Sequence, residues 1–268
     1  MVYECFMFHN ELEMLGLKLA HHNSHVDRFV IIESNVRSTQ SPKSYLLEEN
    51  WHMFTEYKNK ITYLKHDGMG LEPGWPTIND QRNLADKEIS FNDADIVLIS
   101  DLDEFLNEQD FKSMIDHFAE ESTDLRFLST CYWCFANLRH KKSQHTIAAV
   151  LGNKLRRSST HRHQDIEQAG QGMDPAVKII PGGIHLSWFG NEQQFREKIL
   201  GSIEGFKYTN SGENVDRYWN QKSKGKLFSE KVKFKSTKLQ KVSVHDNIDF
   251  TDEMKQYILK NPNWILSD

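Results

Sequence analysis

The sequence predicts an α/β fold with a mostly parallel sheet, and two observations carry this prediction. Apolar stretches typical of buried strands alternate with stretches of helical periodicity over residues 1–100. The last of these strand-like stretches, at about 94–100, ends in Asp101, Asp103 and Glu104. Open parallel sheets bind ligands at the carboxyl ends of their strands, so these acids stand where a binding site is expected.

The first half follows a β-α-β-α-β-α-β order. The apolar stretch at about 2–8 predicts the first strand, and Leu12, Leu15 and Leu19 recur at helical spacing within 11–22. The remaining elements are strands at about 28–33, 61–64 and 94–100, helices at about 44–57 and 78–90, and a loop with Gly68, Gly70, Pro73, Gly74 and Pro76. This order predicts parallel strands joined by right-handed crossovers.

The second half departs from that alternation. After a helix at about 108–119, longer and partly alternating strands at 125–135 and 144–157 predict antiparallel pairing. The polar, glycine-bearing stretch 158–176 predicts a loop that acts as a lid. The remaining elements are a strand at 177–180, a turn at 181–183, the stretch 184–188, and helices at about 192–206, 214–221 and 251–260. With no linker or repeat, we expect one domain over 1–268.

Composition favours an ordinary globular protein. No apolar run is long enough to span a bilayer, and Cys5, Cys131 and Cys134 do not suggest a disulfide framework, so we expect a cytoplasmic protein. The net charge of −5 includes eight lysines against Glu230 within 222–241. This lysine-rich segment would attract an anionic acceptor or a membrane surface, or it forms solvated edge strands, which is the simpler interpretation.

Asp101 and Asp103 form the strongest candidate site. Side chains two residues apart on a strand share a face, so the two carboxylates can converge while Glu104 turns away to support them. Hard oxygen ligands suit Mg²⁺ or Mn²⁺, and His185, after two glycines, would add a nitrogen ligand. The alternatives are an acidic turn that caps the next helix and a hydrogen-bonded structural histidine.

Arg82, Lys43 and Lys198 are candidates for contacts with phosphate or with the acids. The sequence has no Walker-type loop, no dinucleotide-binding glycine pattern and no nucleophile elbow. The Cys131–Cys134 pair lacks the further ligands of a zinc site.

In their order along the chain, these motifs resemble those of glycosyltransferase family 17. The matching segments are 8–15, 26–34, 81–83, 100–104 and 183–190, followed by a helix with Lys198. The resemblance implies a GT-A-like fold, with a Rossmann-like nucleotide-sugar-binding half at 1–105 and a mixed acceptor half at 106–268. It also implies Mn²⁺ or Mg²⁺, inversion, and transfer of a hexosyl or N-acetylhexosaminyl group from a nucleotide-sugar, a UDP-sugar first of all.

The resemblance also assigns roles to single residues. Asp103 would be the main metal ligand, Asp101 would face the ribose or the metal, and His185 would complete the metal or diphosphate site. The remaining donor-site residues would be Phe8, Asn10, Glu11, Glu33, Arg82 and Lys198. The chain departs from the family at 105–106, where Phe-Leu replaces the usual Ile-Pro.

An inverting transfer also needs a carboxylate that accepts the acceptor's proton. Glu192, just beyond the His185 strand, is the candidate, although a first-turn helix acid is an equally good interpretation. Two other functions stay open: a metal-dependent nucleotidyltransferase or phosphohydrolase, which needs a second carboxylate cluster, and a non-catalytic binder of anionic polymers through the lysine-rich segment. The acceptor itself would be a glycan, a glycolipid or another hydroxyl compound.

Overall fold

The computed structural model describes residues 1–155, 177–202, 214–224 and 239–267. In the first half, strands and helices alternate as predicted. The strands are β1 (Val2–Phe8), β2 (Arg28–Ser34), β3 (Ile61–His66), β4 (Ile96–Ile99) and the short β5 (Glu104–Phe105). The helices are α1 (Leu12–His22), α2 (Leu46–Glu49), a 3₁₀ helix (Trp51–Tyr57), α3 (Trp75–Arg82) and α4 (Leu84–Glu88).

The second half begins with the predicted helix and continues with longer strands. The strands are β6 (Asp124–Trp133), β7 (Leu138–His140), β8 (Gln144–Leu151), β9 (Val177–Ser187) and β10 (Leu239–Lys241). The helices are α5 (Glu108–Glu120), α6 (Glu192–Gly201), α7 (Val215–Lys222) and α8 (Asp252–Leu259), with 3₁₀ turns at Gly152–Lys154 and Pro262–Trp264. Among the described residues, none of these helices is long and apolar enough to cross a membrane.

The strands form one sheet in the order β10-β7-β6-β8-β4-β1-β2-β3. The strands β4, β1, β2 and β3 are parallel, and β8 joins them antiparallel to β4. β9 runs parallel to β6, and its end pairs antiparallel with β5. The predicted α/β fold, with a parallel Rossmann-like half and a mixed C-terminal half, is confirmed. The chain leaves β1 toward β2 on one side and reaches β4 on the other, which makes the β1/β4 crevice a topological switch point.

Both faces of the parallel strands are buried, which explains their continuous apolar runs. One face carries Phe6 and Phe8 and packs on Leu15 and Leu19 of α1 in the main core. The opposite face carries the second apolar cluster, which consists of Cys5, Val30, Ile32, Ala85, Val97, Ile99, Ala148 and Val150. The rigid sheet therefore fixes the position of everything that follows the carboxyl ends of its strands.

Several elements differ from their predicted form. The helix expected at 44–57 is broken after Asn50, and the helix expected at 78–90 begins earlier, with Pro76 in its first turn, and is broken at Asn83. The turn expected at 181–183 is a bulge inside β9, where Gly182 and Gly183 have φ of 151° and 81°. These glycines let the strand bend and continue, so a turn-like sequence is a β-bulge here.

Two predictions concern parts of the chain that the structure does not describe or describes only in part. The lid predicted at 158–176 lies outside the described residues, as do residues 225–238 of the lysine-rich segment. Lys222, the first lysine of that segment, is fully buried rather than solvated. Its ammonium donates to the carbonyl oxygens of Trp188 and Gly190, both at 2.9 Å, so a solvated or anion-binding role is wrong for this lysine.

Candidate active site

A cavity of ≈ 440 Å³ opens at the switch point. Its walls come from residues that directly follow, or end, the parallel strands: Phe8 and His9 at β1, Ser34 at β2, and Asp101 and Asp103 after β4. This is the position that the acid-tipped strand predicted. The cavity therefore lies at the ligand-binding edge of the parallel half.

Arg82 brings the end of α3 to the first acid. The arginine is buried, and its Nη2 donates to Oδ1 of Asp101 at 2.7 Å. Gln81, the preceding residue, donates from Nε2 to the carbonyl of Ile32 at 3.0 Å and so ties α3 to β2. Arg82 and Asp101 both line the cavity.

The pairing of β5 with β9 brings the second acid to His185. Glu104 is the register partner of His185, and the amide of Leu186 donates to the carbonyl of Asp103 at 2.8 Å. The side chains then approach: His185 Nε2 lies 3.5 Å from Oδ1 of Asp103. A contact between residues far apart in sequence is thus fixed by strand pairing.

Lys198 completes this cluster from α6. Its Nζ lies 3.2 Å from Oδ2 of Asp103 and 3.4 Å from Oε1 of Glu11. The helix is fixed at its start by a capping box, in which the Asn191 side chain accepts from the amide of Gln194, and the Gln194 side chain accepts from the amide of Asn191. Asp103, His185, Lys198 and Glu11 therefore meet in one wall of the cavity.

These contacts shift the ionisation of the cluster. Burial alone would raise the pKa of Asp103, but Lys198 and His185 hold that pKa well below its usual range. Burial would lower the pKa of both cations, yet Asp103 raises the pKa of Lys198 and the pKa of His185 above their ordinary values. The pKa of Glu11 is likewise lowered against the effect of burial, chiefly by Lys198. The cluster therefore favours the anionic forms of Asp103 and Glu11 and the protonated forms of Lys198 and His185.

A buried polar network supports residues 101–104, the stretch that carries the acids. Glu104 is fully buried and its Oε2 accepts from the amide of Asp101 at 2.8 Å. Lys18, on α1, donates to the carbonyl oxygens of Asp101 at 3.1 Å and Glu104 at 2.5 Å, and pairs with Oε1 of Glu4 at 2.9 Å. Oε2 of Glu4 contacts Nδ1 of His22 at 2.7 Å. The backbone around Asp101 and Glu104 is therefore held by side chains of β1 and α1.

This network is not among the features predicted from the sequence, although a signal for it exists. Glu4 interrupts the apolar run of β1, and Lys18 stands between leucines in α1. Charged residues at such positions are rarely buried unless they are paired. Two charges of opposite sign in adjacent buried elements are therefore a sign of an internal ion pair.

The cavity also has lining residues that the sequence did not suggest, namely His9, Arg37, Trp75, Trp133 and Trp188. Burial, together with three nearby cations, lowers the pKa of His9 to about 4, so this imidazole is neutral at neutral pH. Trp188 has a φ of 64°, and Lys222 holds its carbonyl oxygen. A tryptophan in the left-handed region is strained, and strain of this kind often accompanies ligand sites.

Three predicted site residues are not among those that line the cavity. Asn10 is buried and donates to Glu197. Glu33 is fully buried and accepts from Lys43, from Tyr63 and from the first amides of α2, so it fixes α2 beneath the site. Glu192 is half-exposed at the start of α6 and pairs with Arg196 one turn later. By contrast, the lining includes Phe8, Glu11, Arg82, Asp101, Asp103, His185 and Lys198.

The carboxylates of Asp101 and Asp103 are the candidate oxygen ligands for a divalent cation. Among the described residues, no group of three acidic, histidine or cysteine side chains is close enough to cage an ion. Mg²⁺ in phosphate-transfer sites instead takes one or two carboxylates and completes its shell with water and substrate phosphates. Asp101 and Asp103 face the same cavity, so the residues fit a cation that is shared with a phosphate-bearing substrate.

Fold and site together define an α/β protein with a charged cavity at the switch point of its sheet. The family model for glycosyltransferase family 17 matches residues 1–162, which is more than half of the chain. The chain belongs to this family and is therefore a glycosyltransferase, as its motifs predicted. The matched region includes Glu11, Arg82, Asp101 and Asp103, whereas His185 and Lys198 lie beyond it.

Comparison with solved structures found distant likenesses. One is 4-diphosphocytidyl-2C-methyl-D-erythritol synthase from Anaerococcus prevotii, with a TM-score of 0.42, 11% identity, and 68% of this chain and 86% of that chain covered. Another is a putative glucose-1-phosphate thymidylyltransferase from Bacillus anthracis, with a TM-score of 0.40, 10% identity, and 79% and 94% covered. No curated protein matches the sequence.

Proposed function

We propose that this glycosyltransferase moves a hexosyl or N-acetylhexosaminyl group from a nucleoside-diphosphate donor, a UDP-sugar first of all, to a hydroxyl acceptor, with inversion and with Mn²⁺ or Mg²⁺. The observation that supports this proposal is the meeting of Asp101, Asp103, Arg82 and Lys198 in one cavity at the ends of β1 and β4. Long cationic side chains bind a diphosphate, and carboxylates hold the divalent cation that would accompany it.

The difficult step is the separation of the diphosphate from a sugar that becomes positively charged. A bound Mn²⁺ or Mg²⁺, held by Asp101 and Asp103, would neutralise charge on the leaving oxygens. Arg82 would orient the diphosphate through its planar guanidinium, and Lys198 would place a point charge on the same group. His185 would hold the carboxylate of Asp103 in place through the contact of 3.5 Å.

The acceptor would enter beside the donor. The indoles of Trp75, Trp133 and Trp188 line the cavity, and such apolar faces with a few polar groups suit a sugar ring. The acceptor in the proposal is a glycan, a glycolipid or another hydroxyl compound. The exposed Lys224 and Lys241 border the part of the lysine-rich segment that is not described, and this segment would favour an anionic acceptor or membrane surface. The three cysteines are free, which supports a cytoplasmic setting.

The test of this proposal is a donor screen with and without Mn²⁺. Thermal unfolding is measured with UDP-, GDP- and dTDP-sugars, because a ligand that binds only the native state raises its stability. We expect one class of nucleotide-sugar to stabilise the protein more when Mn²⁺ is present, and Asp103→Asn to remove the Mn²⁺-dependent part. Asp124→Asn is the matched control, because Asp124 lies on β6 and is not among the residues that line the cavity. This variant should keep the Mn²⁺-dependent part.

Two outcomes would contradict the proposal. One is full sugar transfer by Asp103→Asn, which would show that this carboxylate is not needed. The other is a protein that releases pyrophosphate from a nucleoside triphosphate, which is the reaction of a nucleotidyltransferase. A glycosyltransferase would instead release a nucleoside diphosphate from a nucleotide-sugar.

A further inference from the structure

We infer that Lys198 keeps divalent cations out of the free enzyme and thereby makes cation binding depend on the nucleotide-diphosphate donor. This inference rests on the proposed function, because it concerns how the donor and the cation reach the same cavity. It goes beyond that function because it assigns an order to binding and gives Lys198 a role before the donor arrives.

The geometry around Asp103 carries the inference. Both oxygens of its carboxylate have a partner from the chain: His185 Nε2 lies 3.5 Å from Oδ1, and Lys198 Nζ lies 3.2 Å from Oδ2. The Asp103 side chain is only 14% exposed, so water does little to screen these charges. A cation that approaches Asp103 therefore meets an ammonium group already in contact with the same carboxylate.

The other two carboxylates that line the cavity, those of Glu11 and Asp101, also lie next to cationic side chains. Oε1 of Glu11 lies 3.4 Å from Nζ of Lys198, and Oδ1 of Asp101 accepts from Arg82 at 2.7 Å. Lys198 is thus shared between two acids, and each acid that lines the cavity within the described part of the chain faces a cation of the chain. In this state a divalent cation alone must displace a cation that is already paired.

A diphosphate changes this competition. Its oxygens offer the ammonium of Lys198 a new anionic partner, and they offer a divalent cation the additional oxygen ligands that it normally takes from substrate. Lysine suits such an exchange because its compact charge sits on a flexible four-carbon stem. The side chain of Lys198 is 27% exposed, so it has room on the cavity side to change partner.

The experiment measures Mn²⁺ binding directly, by electron paramagnetic resonance of free Mn²⁺, without any turnover. Titrations use Mn²⁺ alone and Mn²⁺ with UDP or GDP, with protein-free mixtures as the blank. We expect wild-type protein to bind Mn²⁺ weakly alone and at least about tenfold more tightly with the nucleotide. In the absence of nucleotide, Lys198→Met should bind Mn²⁺ at least about tenfold more tightly than wild type does. The reason is that the substitution removes a positive charge next to the carboxylate of Asp103.

Two matched variants separate charge from helix disturbance. Lys198→Arg retains a cation at the position and should keep the weak binding of wild type. Arg196→Met removes a cation from the same helix, but from a side chain that pairs with Glu192 and Asp216 outside the cavity, and it should also behave as wild type.

Three results would overturn the inference. The first is equal Mn²⁺ affinity in Lys198→Met and wild type, which leaves the proposed function intact if nucleotide still raises the affinity of wild type. The second is wild-type protein that binds Mn²⁺ equally well with and without nucleotide, and this result needs no variant. The third is no Mn²⁺ binding under any condition, which overturns the metal dependence in the proposed function as well.

Discussion

Replacement of Lys18 by methionine should destabilise the protein strongly. Lys18 and Glu4 are both fully buried, and their charges are 2.9 Å apart. Removing one partner of a buried pair typically costs about 3–5 kcal/mol, because the other charge stays buried without compensation. Glu4 keeps its contacts with His22 at 2.7 Å and Ser100 at 3.0 Å, so we expect the lower end of that range. For a chain of this size, about 3 kcal/mol corresponds to a fall in Tm of roughly 6–12 °C.

The matched control removes both charges at once. In Glu4→Gln with Lys18→Met no buried charge is left over, and such neutral replacements of buried pairs are often tolerated. The free energy of unfolding, measured in urea, should therefore recover in the double variant by more than half of the loss. Affinity for the donor should stay low in both variants, because both lack the hydrogen bonds from Lys18 to the carbonyl oxygens of Asp101 and Glu104. A loss below about 1 kcal/mol in Lys18→Met, or a double variant as unstable as the single one, would refute this reasoning.

The same pair predicts the direction of a pH dependence. Burial would raise the pKa of Glu4, but His22 and Lys18 outweigh it and lower this pKa from 4.5 to about 2. Because the folded-state pKa is depressed, the stabilisation is fully present above about pH 4.5 and is lost as the pH falls toward 2. We expect the urea-measured free energy of unfolding of wild type to fall more steeply in this window than that of the double variant.

The remaining predictions concern single side chains around the cavity. Lys222→Met should lower ligand affinity at least about threefold and change tryptophan fluorescence, because the carbonyl oxygens of Trp188 and Gly190 lose their buried donor; unchanged affinity and fluorescence would contradict this role. Glu192→Gln should keep kcat within about twofold, since Glu192 pairs with Arg196 outside the cavity, and a loss above about tenfold would place it in the reaction. Gly183→Ala should lower the free energy of unfolding by about 1–3 kcal/mol, because Gly183 has a φ of 81° and an added Cβ would lie 2.5 Å from Ser129 Oγ; an unchanged urea midpoint would count against this.

The sequence predicts the parallel half well because its signals are local. Val30, Ile31 and Ile32 form a continuous β-branched run that is fully buried, and the acids after β4 mark the end of such a strand. The position of Asp101 at the ligand edge follows from this pattern alone. Helix boundaries were less accurate where tertiary contacts decide them, as at Asn83, where the chain turns between α3 and α4.

The partners of Asp103 could not be predicted from local pattern. Its contact with His185 depends on the pairing of β5 with β9, and β5 has only two residues. The Pro181-Gly182-Gly183 sequence is typical of a turn, and nothing local shows that the strand continues through it as a bulge. The resemblance to the family placed His185 and Lys198 near the donor. It did not predict that the ammonium of Lys198 lies between the carboxylates of Glu11 and Asp103.

Buried lysines were missed for a common physical reason. Lysine is usually a surface residue, so a lysine in the sequence is expected to be solvated. Lys18 and Lys222, however, each have an apolar stem that packs in the core and an ammonium that donates to backbone carbonyl oxygens. Lys222 also lies 4.9 Å from the centre of the Phe195 ring and 5.4 Å from that of Trp219, which partly replaces the solvation of its charge. Even so, burial lowers the pKa of Lys222 to about 8.

Lys18 and Lys198 both contact residues 101–104, the stretch that carries the acids, and their surroundings differ in a way that matches different tasks. Lys18 is fully enclosed and contacts backbone oxygens and Glu4, so any exchange of its partners would leave buried groups unpaired. Lys198 is partly exposed; its ammonium contacts the carboxylates of Asp103 and Glu11 and lies 5.7 Å from the centre of the Trp188 ring. In the proposed function, a diphosphate would replace these carboxylates as its partners. The backbone that carries the acids is therefore fixed by Lys18, while the contacts of Lys198 with the acids remain exchangeable. A site built in this way can accept a highly charged donor without rearranging the fold.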